Sequence, residues 1–105
     1  MTLLVLEEAL EDVKEIVEEL GFSQILRECR EAIGIKQYKA AEFIGVPGTR
    51  MKNLETGYFR HMPMLGEIQG IARLYDLNPN MLEKKAEEHV CERRLRTRVR
   101  TPERE

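Results

Sequence analysis

Three polar side chains, Thr49, Arg50 and Asn53, lie within about one helical turn of each other and could recognise the edges of nucleic-acid bases. Arginine can donate two hydrogen bonds to guanine, asparagine can pair in the same way with adenine, and the threonine methyl group fits against thymine. No general base accompanies them, so their chemistry is recognition rather than covalent catalysis. The competing interpretation is a solvated polar surface that contacts nothing.

Two short helices must position these side chains. The first has an apolar face at helical spacing, made of Ala40, Ala41, Phe43 and Ile44. Gly45 then interrupts the pattern where the chain has to turn steeply, which favours a residue that accepts positive φ. Met51 and Leu54 face the same core from the second helix and leave its polar residues on the other faces. The pattern predicts a helix-turn-helix, whose second helix enters the major groove of DNA.

This stretch resembles the helix-turn-helix of the Cro and phage-repressor-like family. The residues in register are Gln37, Ala41, Gly45, Val46, Met51, Leu54 and Glu55-Thr56-Gly57. Residues 30–37 look like the end of the family's first helix, Pro63 and the apolar residues after it look like the fourth helix, and Asn78-Pro79 opens a fifth. The resemblance covers about residues 24–82. It implies an all-α, lambda-repressor-like domain of about five helices that binds double-stranded DNA.

The resemblance also implies roles for single residues beside the reading face. A basic residue at the position of Arg30 pairs with an acid at that of Glu55 in such domains, although two independent surface charges are the alternative here. Gln37 contacts the DNA backbone or supports a neighbouring reading residue, and Arg60 lies in a loop that crosses the phosphates. The predicted phosphate contacts are Gln37, Lys36, Lys39, Lys52 and Arg60. For the two lysines at the helix start, simple solvation is the alternative.

The start of the second helix departs from the family pattern. Most relatives carry a Ser or Thr cap after the turn hydrophobe, whereas this chain has Pro47-Gly48. Proline suits a helix start but offers no capping oxygen. Gly48 stands where the family's first base-reading side chain stands, so that contact is missing or is replaced by close approach of the backbone. Base reading then falls to the three polar residues that follow.

Six apolar residues near the start of the chain step by three and four positions, which is typical of an amphipathic helix. They are Leu3, Leu6, Leu10, Val13, Val17 and Leu20. Seven acidic residues and one lysine lie among the other positions of residues 1–20. The pattern predicts a helix in an acidic segment, residues 1–21. This seam could pack on its own domain, pair with a second copy, or dock another protein.

The rest of the chain divides into a helix-turn-helix domain, residues 22–92, and a basic tail, residues 93–105. The domain's first helix is expected to start after Ser23 as its N-cap. The tail alternates arginine with Leu95, Thr97 and Val99 before a proline, and a flexible arm is the favoured interpretation. Such an arm could attract phosphates without regard to sequence, pair with the acidic first helix, or remain solvated.

Composition narrows the class of protein. Hydrophobic residues make up 42% and charged residues 34% of the chain, and no apolar run approaches the roughly 20 residues of a membrane span. The first residues lack the basic flank of a signal peptide, so a cytoplasmic location is expected. Cys29 and Cys91 are too few for a disulfide framework or a metal site. No motif indicates an enzyme, a cofactor or a metal.

The net charge of −2 is unusual for a protein that binds DNA, but the acids are concentrated at the start of the chain and the remainder is basic. We therefore expect a sequence-specific transcriptional regulator, a repressor of the phage or plasmid type, acting as a homodimer on a palindromic operator. The alternative is an adaptor or antitoxin-like protein that keeps the same scaffold and binds another protein through its acidic N-terminal helix.

Overall fold

The computed structural model describes residues 10–100, with side chains placed through residue 96, and this range consists of helices and their connections without a strand. Helix α1 covers residues 10–16 and passes into a 3-10 turn, Val17–Glu19. The other helices are α2 (Phe22–Ile33), α3 (Gln37–Ile44), α4 (Gly48–Thr56), α5 (Leu65–Tyr75) and α6 (Pro79–Arg100). The predicted all-α class is confirmed for the described part of the chain.

The turn between α3 and α4 depends on a glycine in the left-handed region. Gly45 has φ 86°, and its backbone N–H donates to the carbonyl of Ala41 at 2.8 Å. Val46 N–H donates to the same carbonyl at 3.0 Å, so the last turn of α3 is closed before the chain changes direction. Pro47 follows in extended conformation and caps α4 without a side-chain hydrogen bond. Two short helices are thus joined by three residues.

Helix α2 begins earlier than the sequence pattern suggests. Its N-cap is Gly21, and Ser23, predicted as the cap, lies inside the helix. The Ser23 hydroxyl instead donates to the carbonyl of Leu54 at 2.7 Å. This hydrogen bond fastens α2 to α4, a tertiary use of a serine that the local pattern does not indicate. The start of α6 follows its prediction, since Asn80 N–H donates to the Asn78 side chain at 2.8 Å.

One hydrophobic core joins the helices, and a smaller cluster holds α3 against α4. The larger core includes Phe22, Ile25, Leu26, Cys29, Leu54, Phe59, Ile68, Ile71, Tyr75, Leu82, Ala86 and Val90. The smaller cluster consists of Ala40, Ala41 and Met51, with the partly buried Ile44 packed against both. Gly70 of α5 approaches α3 so closely that a Cβ there would lie 3.1 Å from Ile44 Cγ2. The α3–α4 pair therefore packs against α5 through this contact.

The four described residues of the predicted dimer seam pack within their own chain. Val13 and Val17 are only 6% and 9% exposed and belong to the larger core, and Leu10 and Leu20 are partly buried against it. Lys14 Nζ also donates to Asp76 at 3.0 Å, which ties α1 to the end of α5. At these residues the structure therefore shows the first alternative, packing on the chain's own domain, and a second copy would have to displace the core to bind there. Leu3 and Leu6 lie outside the described residues.

The basic segment predicted as a flexible tail is helical as far as the structure describes it. Helix α6 runs without interruption to Arg100, past the predicted boundary at Arg93. Arginine and leucine are good helix formers, and the helix is held at its middle by contacts described below. Residues 101–105 lie outside the described part. None of the helices described is both long and apolar enough to cross a lipid bilayer.

Candidate nucleic-acid interface

Helix α4 has one face in the core and one face in solvent. Its buried side chains are Met51, Leu54 and Glu55. Thr49 and Lys52 are exposed and Asn53 is half-buried, so these three residues form the outward polar face of the helix. Their side chains supply hydrogen-bond donors and acceptors and one positive charge. Such a face can recognise another polar surface, including the edges of bases in a groove.

Arg50, the third predicted base-reading residue, is held by an acid of α5. Its Nε and Nη2 groups donate to the two carboxylate oxygens of Glu67 at 2.8 and 2.9 Å. Glu67 also accepts the backbone N–H of Met64 at 2.9 Å, which closes the first turn of α5. The sequence analysis predicted Arg50 as a base-reading residue, whereas this two-point pair engages two nitrogens of its guanidinium within the chain. No local pattern indicates this partner, which lies 17 positions away along the chain.

The Arg50–Glu67 pair changes the protonation of both groups. The hydrogen bonds from Arg50 hold the pKa of the Glu67 carboxyl below its ordinary value of 4.5, against the opposing effect of burial. The same hydrogen bonds raise the pKa of Arg50. Both groups are therefore charged at neutral pH. This ion pair joins the start of α4 to the start of α5.

A second buried acid ties α4 to α2 and α3. Glu55 is 1% exposed, and Arg30 Nε donates to its Oε2 at 2.8 Å. The Gln37 amide nitrogen donates to Oε1 of the same carboxylate at 3.1 Å, and Arg30 Nη1 donates to the carbonyl of Ile35 at 3.0 Å. The structure therefore brings Arg30 and Glu55 together. It gives Gln37 a supporting role, since its amide nitrogen is already used inside the chain.

The C-terminal end of α4 is held by α6. Gly57, the C-cap of α4, presents its carbonyl oxygen to His89 Nε2 at 2.9 Å and to Arg93 Nη1 at 2.6 Å. The His89 ring stacks on Phe59 with centroids 4.4 Å apart, and the Arg93 guanidinium lies 5.0 Å from the centre of the Tyr58 ring. Sequence reasoning missed this cluster. The available signal was the spacing of His89 and Arg93, which puts them on one face of a helix.

The remaining predicted phosphate contacts are all on the surface. Lys36, Lys39, Lys52 and Arg60 are exposed. Lys36 directly precedes α3, where backbone N–H groups also favour an anion. Lys39 lies 3.7 Å from Glu42 in an exposed pair, which water and salt screen strongly. These side chains are accessible to a phosphate backbone, although no contact among them defines a common site.

Titratable groups in the core are poor candidates for chemistry. Burial raises the pKa of the Cys29 thiol to about 11, so almost no thiolate exists at neutral pH. Burial also raises the pKa of Tyr75, whose hydroxyl finds no hydrogen-bond partner among the residues described. Between residues 10 and 96, no three His, Cys, Asp or Glu side chains gather in a way that could hold a metal ion. The outward face of α4 remains the best candidate site.

Comparisons of the chain with protein-family models, with curated proteins and with solved structures find no match. The functional assignment therefore rests on the side chains around α4 and on the charge distribution of the chain. Helix α4 has an outward polar face and an ion pair at each end, and exposed basic residues lie on the neighbouring elements.

Proposed function

We propose that this chain is a sequence-specific double-stranded-DNA-binding regulator of transcription. In this proposal α3 and α4 form the helix-turn-helix of a lambda-repressor-like domain, and α4 enters the major groove. One observation carries the proposal: α4 keeps Thr49, Lys52 and Asn53 on its outer face while its inner face is buried and tied to neighbouring helices. A polar helix face held rigidly outward has the form required for reading base edges.

The polar residues of α4 divide by role. Thr49 and Asn53 contact base edges, and Lys52 contacts a phosphate. Arg50 orients the helix through Glu67, and its Nη1 group, which the pair does not use, is left for a phosphate or a base. This assignment revises the sequence-based one, in which Arg50 was a full base reader. It leaves the helix with two full base-reading side chains and with Arg50 able to use only its Nη1 group.

Backbone contacts come from the elements on either side of α4. Lys36 and Lys39 at the start of α3 and Arg60 in the loop after α4 are exposed and positively charged. Gly48 at the first turn of α4 has open space around its missing side chain, so the backbone there can approach a phosphate closely. Contacts of this kind set the register of the protein on the duplex, and the α4 side chains then discriminate sequence.

The regulator is proposed to act as a repressor. Two copies bind a palindromic operator and compete with RNA polymerase for the site. Two-fold symmetry of the protein would match two half-sites separated by about one helical turn of DNA. Because Val13 and Val17 belong to the chain's own core, the surface that joins the copies lies elsewhere. No enzymatic activity and no cofactor form part of this proposal.

Selection of bound sequences from a pool of random duplexes tests the proposal directly. The parent chain is expected to enrich a symmetric motif, and Thr49→Ala combined with Asn53→Ala should lose preference at the contacted positions by ~1–3 kcal/mol for each good contact. The Asn80→Ala variant, which removes an exposed asparagine from α6, is the control and should select the parent's motif. The proposal fails if the parent retains no duplex even at low salt.

A second function, binding of another protein as an adaptor or antitoxin does, is favoured by a different observation. Large apolar side chains are exposed on α3 and at the start of α5: Tyr38 and Phe43 are each 56% exposed and Met64 is 72% exposed. The acids of the N-terminal segment that the structure describes are also solvent-exposed. Failure of the parent to bind DNA, together with loss of partner binding in Phe43→Ser, would favour this function.

A further inference from the structure

The charged residues in the last two turns of α6 are all basic. Residues 93–100 contain five arginines and no acid, whereas residues 83–92 contain four glutamates and two lysines. The helix is continuous across this change in composition. A run of like charges normally favours disorder through mutual repulsion. Here the backbone is helical to Arg100, so the charges are carried on a helix instead of a loose arm.

The base of this segment is fastened to the end of α4. Arg93 and His89 donate to the carbonyl of Gly57, the residue that closes α4, and Arg93 also lies over the Tyr58 ring. Two hydrogen bonds and an aromatic contact therefore fix where the basic segment begins. Its origin lies at the C-terminal end of the helix that carries Thr49 and Asn53.

The segment is short and begins beside the C-terminal end of α4. Seven residues beyond Arg93 rise about 10 Å along a helix axis, which is close to the Debye length at physiological salt. The major groove is about 12 Å wide, so the rise of the segment is comparable with the spacing of the phosphate backbones on its two sides. The Arg94 and Arg96 side chains are exposed, and the 3.6 Å pair of Arg96 with Glu92 is exposed as well and easily exchanged for a phosphate.

We infer that the basic end of α6, residues 94–100, binds the phosphate backbone of the duplex beside the groove in which α4 lies. The inference rests on the proposed function and adds to it a second, sequence-independent contact surface. Because the helix is fixed at Gly57, the backbone that carries Arg94 and Arg96 has a set position relative to the reading residues. The segment raises affinity for every duplex and leaves the choice of sequence to α4.

A salt series with two charge-matched double variants tests this inference. Arg94→Gln with Arg96→Gln removes two exposed arginines from the basic end, and Arg27→Gln with Arg73→Gln removes two exposed arginines from α2 and α5. Binding of a fluorescent duplex is measured by anisotropy at several salt concentrations. The α6 variant is expected to flatten the slope of log affinity against log salt by up to roughly 1.8, since each phosphate contact contributes about 0.9. The control should retain the parent's slope.

The outcomes separate the inference from the proposed function. If the parent selects a sequence motif but both double variants have the same slope, the regulator proposal stands and the inference is overturned. If the α6 variant alters self-association in sedimentation while the slope stays unchanged, the arginines serve a second copy and the inference is likewise overturned. A change of selected motif in the α6 variant would also contradict it. A flatter slope with an unchanged motif supports it.

Discussion

At the scale of single residues, the two buried acids of the described chain explain how α4 is held. Glu55 accepts from Arg30 and Gln37, and Glu67 accepts from Arg50 and the backbone of Met64. Buried carboxylates need such partners, because an ion that is removed from water without them is strongly destabilised. Each acid therefore connects neighbouring helices, and the arginine paired with it has a structural function.

Removing one partner of the Arg30–Glu55 pair should be costly. Arg30→Ala leaves the Glu55 carboxylate, which is 1% exposed, without its cation and should lower the free energy of unfolding by about 3–5 kcal/mol. Adding Glu55→Gln should recover part of the loss, with a coupling above ~1 kcal/mol. Urea denaturation measures both. Lys39→Ala, in an exposed pair, is the control and should change little; purely additive losses would contradict the pairing.

Because the pKa of Glu67 is lowered, we expect the folding stability to depend on pH through this carboxyl. Its folded pKa is held below the ordinary 4.5, so its stabilising contribution is complete above that pH and is lost as the pH falls through the depressed folded pKa. Glu67→Gln should be less stable than the parent at neutral pH but should lose less stability on acidification. Urea midpoints across a pH series measure this. Parallel curves for the two proteins would contradict the assignment.

At the scale of elements, the helices with strong local signals were predictable from the sequence and those shaped by tertiary contacts were not. Apolar spacing and Gly45 located α3 and its end, and Asn78 located the start of α6. The length of α6 was missed because five arginines indicate disorder locally, whereas Arg93 is fixed by a partner 36 positions away. The same limit applies to the site: the polar residues of α4 were found, but the acid that engages Arg50 was not.

The contact between α3 and α5 can be tested at Gly70. A side chain there meets Ile44, whose Cγ2 and Cα would lie 3.1 and 3.4 Å from the new Cβ. Gly70→Leu should therefore lower the free energy of unfolding by about 1–3 kcal/mol through overpacking. Gly66→Leu, in the same helix but with open space around it, should be neutral or slightly stabilising. Equal effects of the two substitutions would show that the close approach is unimportant.

At the scale of the whole molecule, residues 10–20, the described part of the N-terminal segment, pack on the domain that follows them. Val13 and Val17 enter the main core, Lys14 reaches Asp76 at the end of α5, and Lys85 of α6 donates to the carbonyl of Glu18 at 2.9 Å. The segment is therefore held by hydrophobic and polar contacts with two helices. Its heptad-like spacing predicted an amphipathic helix but left its packing partner open, because an apolar stripe fits a partner chain and a domain core equally well.

This packing predicts that Val13 stabilises the single chain, at protein concentrations too low for two copies to associate. Val13→Ala should lower the free energy of unfolding of the isolated chain by about 1–3 kcal/mol, since it removes buried methyl groups. Ile16→Ala, at an exposed position of the same helix, should have a smaller effect. Urea midpoints at widely different protein concentrations are the measurement. An effect of Val13→Ala that appears only at concentrations where copies associate would show instead that Val13 lies in a contact between copies.

The ties of α4 to α2, α5 and α6 also affect how a duplex would be accommodated. A helix immobilised on three sides loses little conformational entropy on association, so discrimination between targets can be sharp. It also has little freedom to change its tilt. Under the proposed function the adjustment comes from the nucleic acid, and targets with pliable pyrimidine–purine steps next to the contacted bases should be bound more tightly than stiff A-tract targets with identical contacts.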